Sequence, residues 1–354
     1  MSIGSIRQSL RDLGAKDCHI DRVLRAWLQA RPLDHGARRH APENFLPLSL
    51  RDYLPRLAQQ LTQFASVTSE HPGDDGTRLL VSLADGQMVE SVLLPRDGLC
   101  ISTQVGCAVG CTFCMTGRDG LIRQISSSEM LAQFVLARQR QKIRRVVFMG
   151  MGEPSHNLDN VLEAIDTLGT FGAIGHKNLV FSTVGDERVF ERLPQERVVP
   201  ALAISLHTTQ DELRSQLLPK APRIPVEQLV DWAEDYARRT GYPIQYQWTL
   251  IDGVNDSQEE MDEIVRLLTG KYALMNFIPY NATAAFDYQR PPVERITALT
   301  RYLHAKGIRA TVRNSAGQDV DGGCGQLRAR AETQRPLKFR ARHLAQSLNT
   351  PASP

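Results

Sequence analysis

From residue 99 onward, seven short runs rich in β-branched and aromatic residues alternate with amphipathic helical stretches. This restricts the chain to a largely parallel sheet covered by helices. The runs are Leu99–Thr103, Arg144–Met149, Asn178–Thr183, Pro200–Leu206, Ile244–Leu250, Ala273–Ile278 and Ile308–Val312. Helices between them begin with signals of their own. Ser126 with Glu129, Thr209 with Glu212, and Ser257 with Glu260 have the spacing of capping boxes, and Pro225 stands where the helix Val226–Arg239 should begin. A closed barrel takes eight units and about 250 residues, whereas this span holds six. The expected α/β architecture is an open, partial (βα)6 barrel, with a doubly wound sheet as the alternative.

Residues 1–70 have a different pattern. Helical periodicity over Ser5–Leu13, Asp21–Gln29 and Leu50–Leu61 predicts a small N-terminal helical domain. Within 71–96, Thr77–Leu83 and Gln87–Leu94 flank Ala84-Asp85-Gly86, which predicts a short β-hairpin linker. The core is expected over 97–330 and a basic extension over 331–354. No apolar run approaches the roughly 18 residues a membrane span requires, so the expectation is a soluble, cytoplasmic protein; a monomer is expected separately. The net charge of +3 hides an uneven distribution: +4 over residues 1–60, −6 over 61–324 and +5 over 325–354. Basic ends around an acidic middle suit nucleic-acid contacts or solvated surface.

Four of the six cysteines fall within fifteen residues, unlike the dispersed pairs of a secreted disulfide framework. Cys107, Cys111 and Cys114 form C-x-x-x-C-x-x-C directly after the first core strand. Three thiolates on one loop suit a [4Fe-4S] cluster with one iron left open, whereas structural zinc takes four ligands. The alternatives are a zinc knuckle completed by His207 or another side chain, or three buried free thiols. Gly150-Met151-Gly152-Glu153-Pro154 follows the second strand, where glycines admit a ligand close to the backbone and Glu153 can accept from an ammonium group.

The cysteine spacing and this turn resemble the radical S-adenosylmethionine (SAM) superfamily. From Gln87 to Leu327 the chain further resembles the RlmN/Cfr adenosine methyltransferases of RNA. The matching stretches are Met88-Val89-Glu90, Cys100–Cys107, the G-M-G-E-P turn, Phe181-Ser182-Thr183, Ser205-Leu206-His207, Phe277–Asn281 and Asp319–Leu327. The resemblance implies a partial (βα)6 radical-SAM barrel with a [4Fe-4S] cluster on Cys107, Cys111 and Cys114, and two S-adenosylmethionine molecules per turnover. Gly152, Glu153, Ser182, Ser205, Leu206, His207 and Asn281 match cofactor-contacting positions. It also implies that Cys324 becomes S-methylcysteine, that its methyl carbon is transferred to an adenine ring carbon, and that Cys100 resolves the covalent adduct through a transient disulfide. Glu90 matches the proton acceptor; taken alone it reads as an exposed strand residue. The implied partners are 23S ribosomal RNA, with transfer RNA as a second candidate, and an electron donor such as flavodoxin or ferredoxin.

Carbon 2 of adenine is the first expectation and carbon 8 the alternative, since Phe113-Cys114-Met115-Thr116-Gly117 departs from the carbon 2 pattern. Two other readings are a related radical enzyme acting on a non-RNA substrate and a zinc-stabilised RNA-binding protein. Cys18 reads as a buried helical residue, and Asp252–Asp256 as a plain turn and helix cap.

Overall fold

The computed structural model describes residues 2–36, 41–282, 286–313 and 325–328. Cys324, Arg38, Arg39 and the expected basic extension lie outside the described residues. Three helices come first: α1 (Ile3–Asp12), α2 (Asp17–Leu28) and α3 (Leu48–Gln63). Leu50, Leu54, Leu57 and Leu61 line one buried stripe of α3 at helical spacing. Cys18, expected to be buried, is exposed because it sits on the outward face of α2.

Strands β1 (Ala65–Gly73), β2 (Gly76–Leu83) and β3 (Met88–Leu94) form an antiparallel meander, and β3 pairs with the three-residue β4 (Gly98–Cys100). The sequence predicts only a hairpin here. β1 was missed because its outer side is solvated and it ends in His71-Pro72-Gly73, a composition typical of an edge strand. Next come β5 (Gln104–Gly106) and β6 (Leu121–Gln124), a separate antiparallel pair, then α4 (Ser127–Arg138) and β7 (Arg145–Phe148). The chain continues through α5 (Leu158–Thr170), β8 (Leu179–Thr183), α6 (Glu187–Arg192), β9 (Ala201–Ser205), α7 (Asp211–Leu217) and α8 (Val226–Thr240). It closes with β10 (Ile244–Leu250), α9 (Gln258–Leu268), β11 (Ala273–Pro279), α10 (Val293–Ala305) and β12 (Ala310–Val312).

The main sheet has ten strands in the order β1-β2-β3-β4-β7-β8-β9-β10-β11-β12. From β4 to β12 every neighbour is parallel, so six crossovers build the α/β part, and β1 to β3 extend it without a break. Strand alternation sorts the side chains. Phe148, Phe181, Ile204, Tyr246 and Trp248 pack under the helices, while Val92, Cys100, Val147, Val180 and Ala203 form a second cluster on the inner face.

Ser126 and Glu129 form the expected capping box. Thr209 does not cap with Glu212; its hydroxyl and main-chain N–H both go to Glu260, and α7 begins at Asp211. The α1–α3 unit joins the same apolar core as the barrel. Glu163 of α5 accepts the Gly4 N–H at 2.7 Å and the Ile3 N–H at 3.2 Å, placing a carboxylate at the N-terminus of α1. Arg138 donates to Leu28 O at 3.0 Å and Gly172 O at 2.8 Å.

Candidate active site

The β5–β6 pair closes the base of the loop that carries the three clustered cysteines, with Cys107 N–H donating to Gly120 O at 3.0 Å. Around that loop Val109, Val184, Leu217, Leu218, Ile251 and Tyr280 form a small apolar cluster of their own. Burial pushes the Cys107 thiol up to about 12, and Cys111 is held well above the ordinary value by burial and by the other two sulfurs. Thiols crowded together in an apolar shell resist ionisation unless a cation shares the space. The donor set therefore fits an iron-sulfur cluster. Among the described residues, no group of three or more His, Cys, Asp or Glu is arranged to hold a single ion.

Glu153 leads the turn after β7. Its Oε1 accepts from Ser155 N–H at 3.1 Å and its Oε2 from Val184 N–H at 3.0 Å, while its own N–H donates to Gln104 Oε1 at 2.7 Å. Burial raises its carboxyl above the usual range, against these hydrogen bonds. Gly152 has φ +101°, and a Cβ there would lie 2.5 Å from Gln104 Cβ, so only glycine lets the turn close on β5. Ser102 Oγ accepts Met151 N–H at 2.9 Å and donates to Glu90 O. Gln133 of α4 receives Ser102 N–H and Ser91 Oγ–H on its Oε1. One buried amide thus aligns the strand of Glu90 with the crossing that leads to the cysteines.

His207 follows β9 with φ +64°, a left-handed conformation that costs a non-glycine residue about 1 kcal/mol or more. Three contacts hold it. Its Nδ1 accepts Thr249 N–H at 2.9 Å, its carbonyl accepts Asn255 Nδ2–H at 2.7 Å, and its ring meets Phe113 edge-on at 4.9 Å. A neutral imidazole has one ring lone pair, used here on Thr249, so Nε2 carries the proton and can only donate. Burial, helped by Arg214, lowers the ring pKa to about 3. His207 is therefore a fixed hydrogen-bond donor, and the zinc ligand weighed from the sequence is not available in this tautomer.

The loop after His207 is anchored by Glu260, which receives the hydroxyls of Thr208 and Thr209, Thr209 N–H at 2.8 Å and Gln210 Nε2 at 3.2 Å. Arg214, also buried, donates to Val184 O and, at 3.1 Å, to Ser205 O, bridging the ends of β8 and β9. Its Nε has no hydrogen-bond partner among the described residues, and desolvation lowers its pKa to about 10 despite nearby Asp211, Cys111 and Glu153. It remains a buried cation beside the cysteine loop. Ser182 ends β8 almost fully buried; Ser205 and Asn281 are half-buried. Leu206 turns its side chain into the main core, which leaves only its backbone for a ligand.

Glu90 is not the exposed strand residue its isolated sequence suggests. It faces inward on β3 and is 2% exposed, paired at 3.0 Å with Arg78, also 2% exposed. Its Oε1 accepts Arg328 N–H at 3.1 Å. Burial raises its carboxyl above the ordinary range, while the main chain of Arg328 and Gly325 and the Arg78 guanidinium pull it back. Gly325 has φ +91°, and a Cβ on it would lie 2.8 Å from Thr116 N, two residues past the third clustered cysteine. Leu327 packs on Leu80 and Met88. Cys100, buried on β4, lies on the same inner face, opposite Val92 and Val147. Glu90, Cys100, the cysteine loop and the segment directly after Cys324 thus converge on one end of the barrel.

An open parallel barrel with three cysteines on its first βα loop and a glycine-rich acidic turn after the next strand is the architecture of a radical SAM protein. The Radical SAM superfamily model matches residues 101–268. The chain is 77% identical over 331 residues to a Probable RNA methyltransferase of Dechloromonas aromatica, covering 93% of each, and 66% identical to one of Ectopseudomonas mendocina, covering 94% of this chain and 96% of that one. A crystal structure of a radical SAM methyltransferase from Sphaerobacter thermophilus superposes with TM-score 0.79 at 34% identity, over 92% of this chain and 97% of that one. The chain belongs to this family of radical SAM methyltransferases. Its cofactors are a [4Fe-4S] cluster and S-adenosylmethionine.

Sequence reasoning overlooked Arg78, Gln104, Gln133, Arg214 and the roles of Asn255 and Glu260. Asn255 lies in the segment read as a plain turn, yet it is fully buried and fixes both the His207 carbonyl and Ile251 N–H.

Proposed function

We propose that this protein methylates a ring carbon of an adenosine in 23S ribosomal RNA, carbon 2 first, through S-methylcysteine at Cys324 and a transient Cys100–Cys324 disulfide. When bound, the cluster and S-adenosylmethionine supply the reducing electron, the radical and the methyl group. Cys107, Cys111 and Cys114 would hold the cluster. Glu153, Ser182, Ser205, Asn281 and the Nε2–H of His207 would orient the methionine and nucleoside parts of the cofactor.

The observation that carries this reading is the contact of Gly325 with Thr116, together with the bond from Arg328 N–H to Glu90. The residues after Cys324 are held between the cysteine loop and an inward-facing carboxylate. In this role Cys324 Sγ carries the carbon to be transferred, and Glu90 takes the proton leaving the adenine ring. A buried carboxyl with raised proton affinity is suited to that task. Cys100 Sγ then attacks Cys324 Sγ; the disulfide forms as the bond from Cys324 Sγ to the transferred carbon breaks, and that carbon keeps the electron pair and takes a proton to become the methyl group. The relatives' names support RNA as the substrate. Among the described residues no helix is long and apolar enough to cross a membrane. The proposal includes a cytoplasmic monomer that takes electrons from flavodoxin or ferredoxin.

The test is anaerobic reaction of the reconstituted protein with unmodified 23S ribosomal RNA, followed by mass spectrometry of the nucleosides. The expected product is 2-methyladenosine; 8-methyladenosine would move the assignment to the branch that Phe113–Gly117 resembles. Cys324→Ala should give no methylated RNA, and Cys100→Ala should accumulate an RNA–protein adduct. Methylation by the Cys324→Ala variant would refute the mechanism.

A further inference from the structure

The end of the barrel opposite the cysteines has a charge pattern that the proposed chemistry does not use. Seven connections enter the parallel strands there, and their only carboxylates, Asp97 and Glu196, are already ion-paired with Arg144 and Arg192. Four of those connections contribute exposed cations that form no ion pair among the described residues, Arg96, Lys142, Lys177, Lys306 and Arg309, and Arg239 at the end of α8 adds a sixth. Arg239 and Lys306 lie at α-helix ends, where the dipole alone would favour them, and Lys177 lies in a single 3-10 turn; Arg96, Lys142 and Arg309 lie at no helix end. Between the last two connections a cavity of about 410 Å³ is lined by Lys306, Arg309, Lys271, which is paired with Asp231 at 2.8 Å, and Tyr272, a residue 41% exposed.

The inside of this end is basic as well. Arg145, the first residue of β7, reaches across the barrel to Gln245 of β10 at 3.0 Å, although β8 and β9 lie between those strands. Arg313, one residue past the end of β12, has its proton affinity lowered by burial and then by Arg145. Leu94 and Tyr242, half-buried, belong to the same inner cluster as Cys100.

We infer that this rim is the docking surface for the RNA backbone. Phosphates would lie across the strand N-termini and a base flanking the target would rest against Tyr272, anchoring the RNA while another part of the strand reaches the cluster end. Clustered cations with an exposed ring suit a flexible nucleic acid strand. An acidic reductase would also be attracted, but it must come close to the cluster, and a strand of five residues separates the two ends by roughly 17 Å. The inference rests on the proposal that RNA is the substrate.

Binding of fluorescent bacterial 23S ribosomal RNA and bulk transfer RNA to the cluster-loaded protein, measured across salt concentration, tests it. The variant Lys142→Glu/Arg239→Glu/Arg309→Glu should bind about 100-fold more weakly at 0.1 M salt, with the log–log salt slope flattened by about 2, from roughly 0.7 per lost phosphate contact. The control Lys220→Glu/Arg223→Glu/Arg301→Glu, with the same change of net charge away from the rim, should bind as the unaltered protein does. Equal losses in both variants would reduce the effect to overall charge and overturn the inference. So would an unchanged affinity of the rim variant, including the case in which it instead loses reduction by flavodoxin. If the unaltered protein binds neither RNA, the RNA reading itself fails and the rim assignment fails with it.

Discussion

Replacing Arg78 by Met should leave Glu90 buried without its counter-ion. Breaking a buried pair from one side costs about 3–5 kcal/mol when the remaining charge must persist. Glu90 can avoid part of that cost by taking up a proton. Against the ordinary carboxylate value of 4.5, holding a proton at pH 7 costs about 3.4 kcal/mol, and at pH 5 about 0.7 kcal/mol. The loss caused by Arg78→Met is bounded by these values, so it should shrink as the pH falls. The sign follows from the direction of the shift. A carboxyl whose folded value is raised binds its proton more tightly in the folded state, so stability is greatest below 4.5 and declines as the pH rises through the folded value. Urea unfolding of the cluster-loaded protein under argon at pH 5 and pH 8 measures the difference. Arg78→Met should be clearly destabilised at pH 8 and within about 0.7 kcal/mol of the parent at pH 5, and Arg78→Met/Glu90→Gln should lose that pH dependence. An equal loss at both pH values would show that Arg78 acts through packing and that the charge argument is wrong.

His207 gives the opposite slope. With its pKa lowered to about 3, the folded protein should lose about 1.4 kcal/mol of stability per pH unit as pH falls from 6.5 towards 3, and His207→Gln should remove that slope in urea titrations. S-adenosylmethionine affinity by calorimetry should show no inflection between pH 6 and 8, because the ring stays neutral throughout. Asn255→Ala removes three hydrogen bonds, two of them buried, around a strained residue and should cost about 2–4 kcal/mol, with cofactor affinity falling at least tenfold; an unchanged affinity would remove Asn255 from the positioning role. Gly152→Ala should abolish cofactor binding in calorimetry, since the added Cβ collides with Gln104 and displaces the turn that carries Glu153. Arg214→Met should shift the cluster's midpoint potential to a more negative value in redox titrations followed by EPR, with Arg214→Lys in between.

Much of the architecture was legible because the inner strands obey local rules. The seven runs lie within two or three residues of β4 and β7 to β12, since each joins a β-branched run to a turn or cap that stops it. The cysteine spacing and the G-M-G-E-P turn were equally plain, being contiguous in sequence. What escaped the sequence was long-range choice. Glu90 alternates with Val89 and Ser91 as a surface residue would, and only the packing of Leu327 and Arg328 across the inner face removes it from water. Thr209 had a local partner in Glu212 but bonds to Glu260, about fifty residues away, because a buried carboxylate needs donors more than an exposed cap does. Asn255 lay in a segment whose turn chemistry was sufficient explanation of its composition. Local pattern does not distinguish a lumen from solvent, and the polar residues that line or brace the site were the ones misread.

The position of β4 has a consequence for biosynthesis. Its three residues pair on one side with β3, a neighbour in sequence, and on the other with β7, which is made more than forty residues later. The meander from β1 to β4 can close on the ribosome from local contacts alone, as soon as those residues have emerged. Cys100 is therefore set in a hairpin before the cysteines of the loop have neighbours, and before the far segment bearing Cys324 has been translated. The two thiols that the proposed chemistry must join are separated by 224 of the 354 residues, so Cys100 is already within the sheet when Cys324 is made, and this order protects the nascent chain from pairing them early.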